Sequence, residues 1–459
     1  MRDVQRADWN RWVAGVALAL AGGMVGCGPG GEDDSDTGTD AGMDAGSEFQ
    51  AFHDDCTMTT GPADSAEETT KNLERAVARS EDGDVICMVD GDYQVKRELS
   101  ITENNITLLG ESQEGTVLDF AEQKEGANGI LANVSENFAA INFTVKNTAS
   151  DSIKAKGTDG VVFKNLTVTW EAGASEENGA YALYPVEASN VLIEGCEVSY
   201  ARDAGVYLGQ SETAIMRDNE AYGNVVGIEI ENTFRAEAYN NNAHDNADGF
   251  LVINLPDLMV KGGGENLVYD NRIVNNNIEN FGKEGTAVAK MPQGTGLLVV
   301  ASNNNEIRDN TIKDNQSIGI GVVSYEIIEP SGAQDPDFDP FSEGNWVHDN
   351  VLGNNGYEAK DRAVIAKQMD GKVPQVFWDG NFDSEKDNSE KGLTNCFGGN
   401  KTPEDSAIGL ELIDIQNKCP DNDMGDGASF CQNDCTKEKV ESVELPERVT
   451  AMAKIGSSK

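Results

Sequence analysis

Lys154, Lys156, Tyr184, Tyr207, Glu229 and Glu231 are the residues of this 459-residue chain whose types and spacing best suit chemistry. They fall at matching places in successive copies of one short pattern, so a fold that stacks the copies gathers them on one face. A tyrosine ring offers an amphipathic surface to a pyranose, and a lysine pairs with a carboxylate. Elimination or C5 epimerisation of a uronate needs its carboxylate neutralised, a base, and an acid on the other side. Lys156 or Lys154 would neutralise, and Tyr207 or Tyr184 would exchange protons. Arg202 and Asp203, in the turn before Val206, and Gln210 are placed to contact sugar. Glu229 and Glu231 would bind sugar directly or through a bridging calcium. The competing reading is structural: outward strand positions are often charged or aromatic and simply solvate a surface or pair across strands.

The elements that must position these residues follow from the repeat. From about 101 to 356 the pattern recurs roughly every 22 to 23 residues. Its copies open at Ile130, Ile153, Leu183, Val206, Ile228, Phe250, Leu297 and Ile320, several just after a glycine. Each copy is an alternating apolar run followed by Asn-rich turns such as "AIMRDNEAYGNVVG". A period of this size built from short strands and turns predicts a parallel β-helix, an all-β solenoid whose coils pair strand on strand about 4.8 Å apart. Alternation puts Ile228 and Ile230 inside and Glu229 and Glu231 outside. Asn and Gly, here 49 glycines, tolerate the left-handed turns, and stacked Asn side chains can bond along the axis.

Aligning the opening strands gives two outward columns. The first is Lys154, Tyr184, Tyr207, Glu229, Leu251, Leu298, Gly321; the second is Lys156, Val186, Gly209, Glu231, Ile253, Val300, Val323. One half is polar and the other apolar. The apolar half requires a cover, expected from the insertion at 254–295 or from the C-terminal tail. Lys154, Lys156, Tyr184, Tyr207, Glu229 and Glu231 are then expected in the open part of a groove.

The rest of the chain is organised around this solenoid. Arg2, Arg6 and Arg11, the apolar run 12–26 and Met24-Val25-Gly26-Cys27 read as a lipoprotein signal with Cys27 acylated. Residues 27–50 form an acidic linker without a core. The β-helix is expected over 51–383, with a capping helix within 64–80 and insertions at 254–295 and 326–345. Residues 384–459 are expected to be a disulfide-tied extension. Cys56 and Cys87 flank the cap and can pair; Cys396, Cys419, Cys431 and Cys435 can form two bridges in an unspecified pairing; Cys196 reads as a buried thiol. A second calcium candidate is the acidic loop of Asp335, Asp337 and Asp339. His244 and His348 read as turn residues held by the aspartate that follows each.

The blocks "NGAYALYPV", "DAGVYLGQS", "GIEIEN" and "NLPDL" resemble an exported family defined by parallel β-helix repeats, over roughly 70–385. More loosely, the repeats look like the right-handed β-helix modules of pectate lyases, mannuronan C5-epimerases and periplasmic NosD-type proteins. The resemblance implies the fold, an exported location and polysaccharide chemistry. The chain departs from those enzymes: its three histidines lie in "FHDD", "AHDN" and "VHDN", so the epimerase DPHD motif, the GHG of polygalacturonases and a copper cluster are all missing.

A net charge of −45 argues against nucleic acid and anionic membrane as partners. Three classes remain: a lyase or epimerase acting on an acidic polysaccharide, a non-catalytic binding or adhesion module, and a structural envelope protein. The expected protein is a monomeric outer-membrane lipoprotein, touching membrane only through its lipid, with no required cofactor.

Overall fold

The computed structural model describes residues 49–329, 332–359, 371–383, 394–408, 411–412 and 435–457, which lie in one compact unit. Cys27, the signal and most of the linker lie outside the described residues, as do Cys419 and Cys431.

Among the described residues three parallel sheets of twelve, eleven and ten strands run the length of the solenoid. Each coil contributes one strand to each sheet. In one coil, Ala204–Gly209 joins the eleven-stranded sheet, Glu212–Arg217 the twelve-stranded and Glu220–Tyr222 the ten-stranded. The chain folds as the expected right-handed parallel β-helix. Inward residues from all three sheets, among them Phe163, Val206, Ile228, Phe250 and Leu297, form one continuous core.

The recurrent "DN" and "NN" pairs have a division of labour. The first residue turns the chain: Asp218, Asn240, Asp270, Asp309 and Asp349 all adopt positive φ. The second residue points inward and joins a ladder. Asn219 donates to Asn241, Asn241 to Asn271, Asn271 to Asn310, Asn310 to Asn350 and Asn350 to Asn400, each at 2.9–3.0 Å. The sequence separation grows along this ladder from 22 to 50 residues, while the bond length stays constant. Loops at the corners therefore absorb added length without disturbing the stack. Two parallel ladders, Asn224 to Asn355 and Asn266 to Asn395, satisfy the other corners.

The N-terminal helix spans Ala66–Arg79, with Ser65 accepting from the Glu68 amide as its cap. Leu73 closes the core of the first coil, and Arg97 grips Glu74 at 2.7 Å from the strand below. Cys56 and Cys87 are bonded, fixing the lead-in segment to Val85–Met88, the second strand of the twelve-stranded sheet.

Two boundaries differ from the sequence reading. The 254–295 segment is not one insertion, because Leu267–Tyr269 and Arg272–Val274 are ordinary coil strands. The added chain is two corner loops on either side of them. The solenoid also continues past 383: Cys396–Gly398 pairs with Trp346–His348, and Asn395 and Asn400 extend the ladders. These strands are too short for hydrophobic alternation to reveal, and only the asparagines mark them.

The C-terminal extension is a strap. Cys435 is bonded to Cys396 at the late end of the solenoid. From there the chain runs back along the outer face of the twelve-stranded sheet. The Val440 and Val443 amides each donate at 2.7 Å to buried glutamates, Glu306 and Glu237. Arg448 pairs with Asp159, and Val449 and Ala453 of the helix Glu447–Met452 region pack on Val162 and Leu192. The Gly456 amide finally reaches Asp55 at 3.2 Å.

Candidate functional site

The eleven-stranded sheet sets the two outward columns in the register derived from the sequence. Lys154 pairs with Tyr184, Tyr207 with Glu229 and Glu229 with Leu251; Gly209 pairs with Glu231 and Glu231 with Ile253. The apolar half is covered. Leu251, Ile253, Leu298 and Val300 pack with Val288 and Met291 from the corner loop after Val274, with Phe338 from the 326–345 insertion, and with Val373 and Phe377. The loops supply this cover and the C-terminal strap does not, since it occupies the opposite sheet.

The polar half is more enclosed than the sequence reading expected. Tyr207, Glu229 and Glu231 are 3%, 3% and 8% exposed, so they form a floor and not an open groove. Tyr181, which the column alignment had not singled out, explains part of this. Its ring lies 4.4 Å from that of Tyr184 and 4.6 Å from that of Tyr207, making a three-tyrosine cluster. Lys154 sits 4.3 Å above Tyr184 and 3.4 Å from Asp151. The Tyr184 ring thus has Tyr181, Tyr207 and Lys154 as neighbours. Lys156 is exposed and pairs with Glu187 at 3.6 Å. Arg202 is half-buried and donates to the Asn178 carbonyl at 2.7 Å.

The floor is a set of buried carboxyls. Tyr207 donates to Glu231 at 2.7 Å. Asp203 Oδ1, Glu229 Oε2 and both Asp248 oxygens are buried without a hydrogen-bond partner. Burial raises each acid, because a charge is costly away from water. Burial, then the nearby Glu231 charge, pushes Asp203 up to about 7; burial pushes Glu231 up to about 7. Glu229 is held well above the carboxylate range by burial and then by Asp203, Glu231 and Asp248, and Asp248 by burial. Burial also raises Asp151, against the pull of Lys154. Glu229 and Asp248 are therefore protonated at neutral pH, while Asp203 and Glu231 are partly ionised there; the cations on this face are Lys154, Lys156 and Arg202, with Glu187 beside Lys156.

Other expected site residues serve structure. Gln210 accepts from the Met259 amide at 3.0 Å, anchoring a corner loop where sugar contact was expected. Asp335 is paired with Lys261 and accepts from the Asp257 amide, which ties the 326–345 insertion to the loop between Ile253 and Leu267 and holds Asp335 down to about 2. Asp337 is exposed, and Asp339 accepts from the Phe341 amide at 3.1 Å. Glu229 and Glu231 lie in the floor, away from that loop. Among the described residues no three His, Cys, Asp or Glu side chains converge as a metal site, so neither expected calcium set is assembled. His244 and His348 each bond the following aspartate at 2.7 Å. Cys196 is a buried free thiol, raised by that burial to about 12.

A sequence profile of the right-handed β-helix region matches residues 128–277, the most regular coils. No curated protein matches the chain in sequence. Among solved structures, the chain is similar to the A-module of the mannuronan C-5 epimerase AlgE4 from Azotobacter vinelandii. That match has 14% identity and a TM-score of 0.49, covering 77% of this chain and 97% of that one. It is also similar to the DFA-IIIase of Arthrobacter chlorophenolicus A6, at 13% identity and a TM-score of 0.40, covering 77% and 94%. ORF18 of Geobacillus virus E2 matches at 11% identity and a TM-score of 0.43, covering 65% and 58%. At these identities the likeness is one of fold.

Proposed function

We propose that the polar half of the eleven-stranded sheet binds an acidic polysaccharide, on a protein held to the outer membrane through an acylated Cys27. One observation carries the reading. On a chain of net charge −45, this face presents three cations, Lys154, Lys156 and Arg202, around a tyrosine cluster over buried acids of which Glu229 and Asp248 are held protonated. A polyuronate is attracted to these cations, and burial reduces the opposing charge of the floor. The cation above Tyr184 also means that the sugar is gripped by its carboxylate and by Lys154 before any ring is free to stack.

Calorimetric titration with oligomannuronate and oligoguluronate tests this. Lys154→Ala combined with Lys156→Ala is expected to weaken binding at least tenfold, and an unchanged dissociation constant would overturn the proposal. Loss of membrane association in Cys27→Ser tests the anchor.

A catalytic reading has one observation in its favour, the Tyr207–Glu231 hydrogen bond beside Asp203, with both carboxyls able to exchange protons near neutrality. Binding is favoured over it because Tyr207 is buried beneath Tyr181 and Tyr184. Formation of unsaturated uronate product by the protein, abolished in Tyr207→Phe with binding retained, would reverse that preference.

A further inference from the structure

A second cleft opens at the corner between the ten- and eleven-stranded sheets, on the other side of the coil from the covering loop that carries Phe338. It has a volume of about 500 Å³ and spans the turns of three consecutive coils, marked by Tyr200, Gly223 and Asp245. The loop of Ala174 walls one end, and Ile278, Glu279 and Phe281 wall the other.

Tyr200 is the anomaly. The turn position it occupies is filled in six other coils by Asn147, Gly223, Asp245, Asn275, Asp314 and Asn354, all at positive φ, while Phe120 and Trp170 hold it without positive φ. Asn, Asp and Gly tolerate the left-handed region; a bulky aromatic does not. Tyr200 nonetheless holds φ +68° there. The next coil accommodates it with Gly223, where an added Cβ would lie 2.6 Å from the Tyr200 ring. A strained aromatic seated on a matching glycine, at the floor of a cleft, is the kind of outlier from which function is inferred.

The surrounding chemistry specifies a ligand. Tyr222 stands 6.0 Å from Tyr200 at 82°, making an aromatic corner, and is itself backed by the stacked ring of His244 at 5.5 Å. Tyr222 spends its hydroxyl on Glu197, and Asp245 spends its carboxylate on His244 and Asn275. Asn280 holds the far wall by donating to the Val288 and Met291 carbonyls. Among the described residues the Tyr200 hydroxyl and the exposed Glu279 carboxylate keep no partner, and no lysine or arginine lines the cleft. Aromatic faces meet the C–H face of a pyranose, and a free carboxylate accepts from its hydroxyls. An acidic sugar would be repelled.

We propose that this cleft binds a neutral pyranose chain through Tyr200, Tyr222 and Glu279, chemically opposite to the cationic face. The site stands independently of the uronate reading. The full chain would be titrated calorimetrically with cellohexaose, mannohexaose and chitohexaose, and in parallel with hexamannuronate. Tyr200→Gly relieves the backbone and so keeps the fold intact; it and Glu279→Gln are each expected to weaken the neutral ligand at least tenfold and leave hexamannuronate unaffected. Wild-type protein that binds none of the neutral hexamers, or variants that bind them as tightly as wild type, would overturn the proposal. A cationic glucosamine hexamer preferred over all neutral ones would also overturn it, because Glu279 would then be acting as a counter-ion.

Discussion

Tyr207 donates a 2.7 Å hydrogen bond to Glu231 on the neighbouring coil, and reaches it by lying along its own strand over Gly209. A Cβ at Gly209 would sit 2.0 Å from the Tyr207 hydroxyl. The glycine in the second outward column is therefore what permits a buried tyrosine–carboxyl pair between two coils. Gly209→Ala must expel the ring, strand the Glu231 carboxyl and crowd a packed layer. We expect a loss of about 3 kcal/mol, read as a lower urea midpoint with unchanged slope. Gly209→Ala with Tyr207→Phe should recover little of it, because the clash with the ring persists.

The buried acids make stability depend on pH in a definite direction. Asp203 and Glu231 titrate near 7 when folded, against about 4 for an exposed carboxyl. The folded state thus holds more protons than the unfolded state between those values, and stability falls as pH rises. The contribution is fully present below about 4 and lost through about 7. The melting temperature should drop by several degrees between pH 5 and pH 8.5. Glu231→Gln, which still offers an oxygen to Tyr207, should flatten that slope and raise the melting temperature at pH 8.5 above wild type.

The asparagine ladders predict a different kind of sensitivity. Asn310 accepts from the Asn271 amide and side chain and donates to Asn350 and the Val268 carbonyl, all in the dry interior. Asn310→Ala leaves several buried polar groups unmet, which costs on the order of 4 kcal/mol. Asp309→Gly, one residue earlier and also at positive φ, should be nearly neutral or stabilising. Chemical denaturation of the two variants separates the roles of the two halves of a "DN" pair.

The strap is held at its start by the Cys396–Cys435 bond. Cys435→Ser should leave the segment bearing Lys437 and Lys439 to open locally, since it contains no regular element of its own. Trypsin should cut there at least tenfold faster than in wild type, with the coil strands still protected; equal rates would show that Glu306 and Glu237 hold the strap unaided.

Much of this architecture was legible in the residues. The period fixed the solenoid, and the alternation within it placed Tyr207, Glu229 and Glu231 in columns whose order the strand register reproduces. Their depth was not legible. It depends on Tyr181, two residues before the aligned run, and on loops whose contacts with Leu251 and Leu298 cross long stretches of chain. Gln210 and Asp335 misled for the same reason: a polar residue on an outward turn looks free until the loop it anchors is in place. The late coil at Cys396 was missed because its three-residue strand carries no periodicity, although Asn395 and Asn400 announced it. Tyr200 carried a readable signal, as a tyrosine standing where six other coils have Gly, Asn or Asp.

The strap also changes how the molecule meets mechanical force. A plain solenoid can be peeled from one end, each coil surrendering its few hydrogen bonds before the next is stressed. Here the last described segment doubles back to Asp55 beside the first strand, bolted on the way at Glu306, Glu237 and Asp159. A pull that separates the two ends of the described chain must break the Gly456–Asp55 contact and then those bolts in turn before it reaches the Cys396–Cys435 bond.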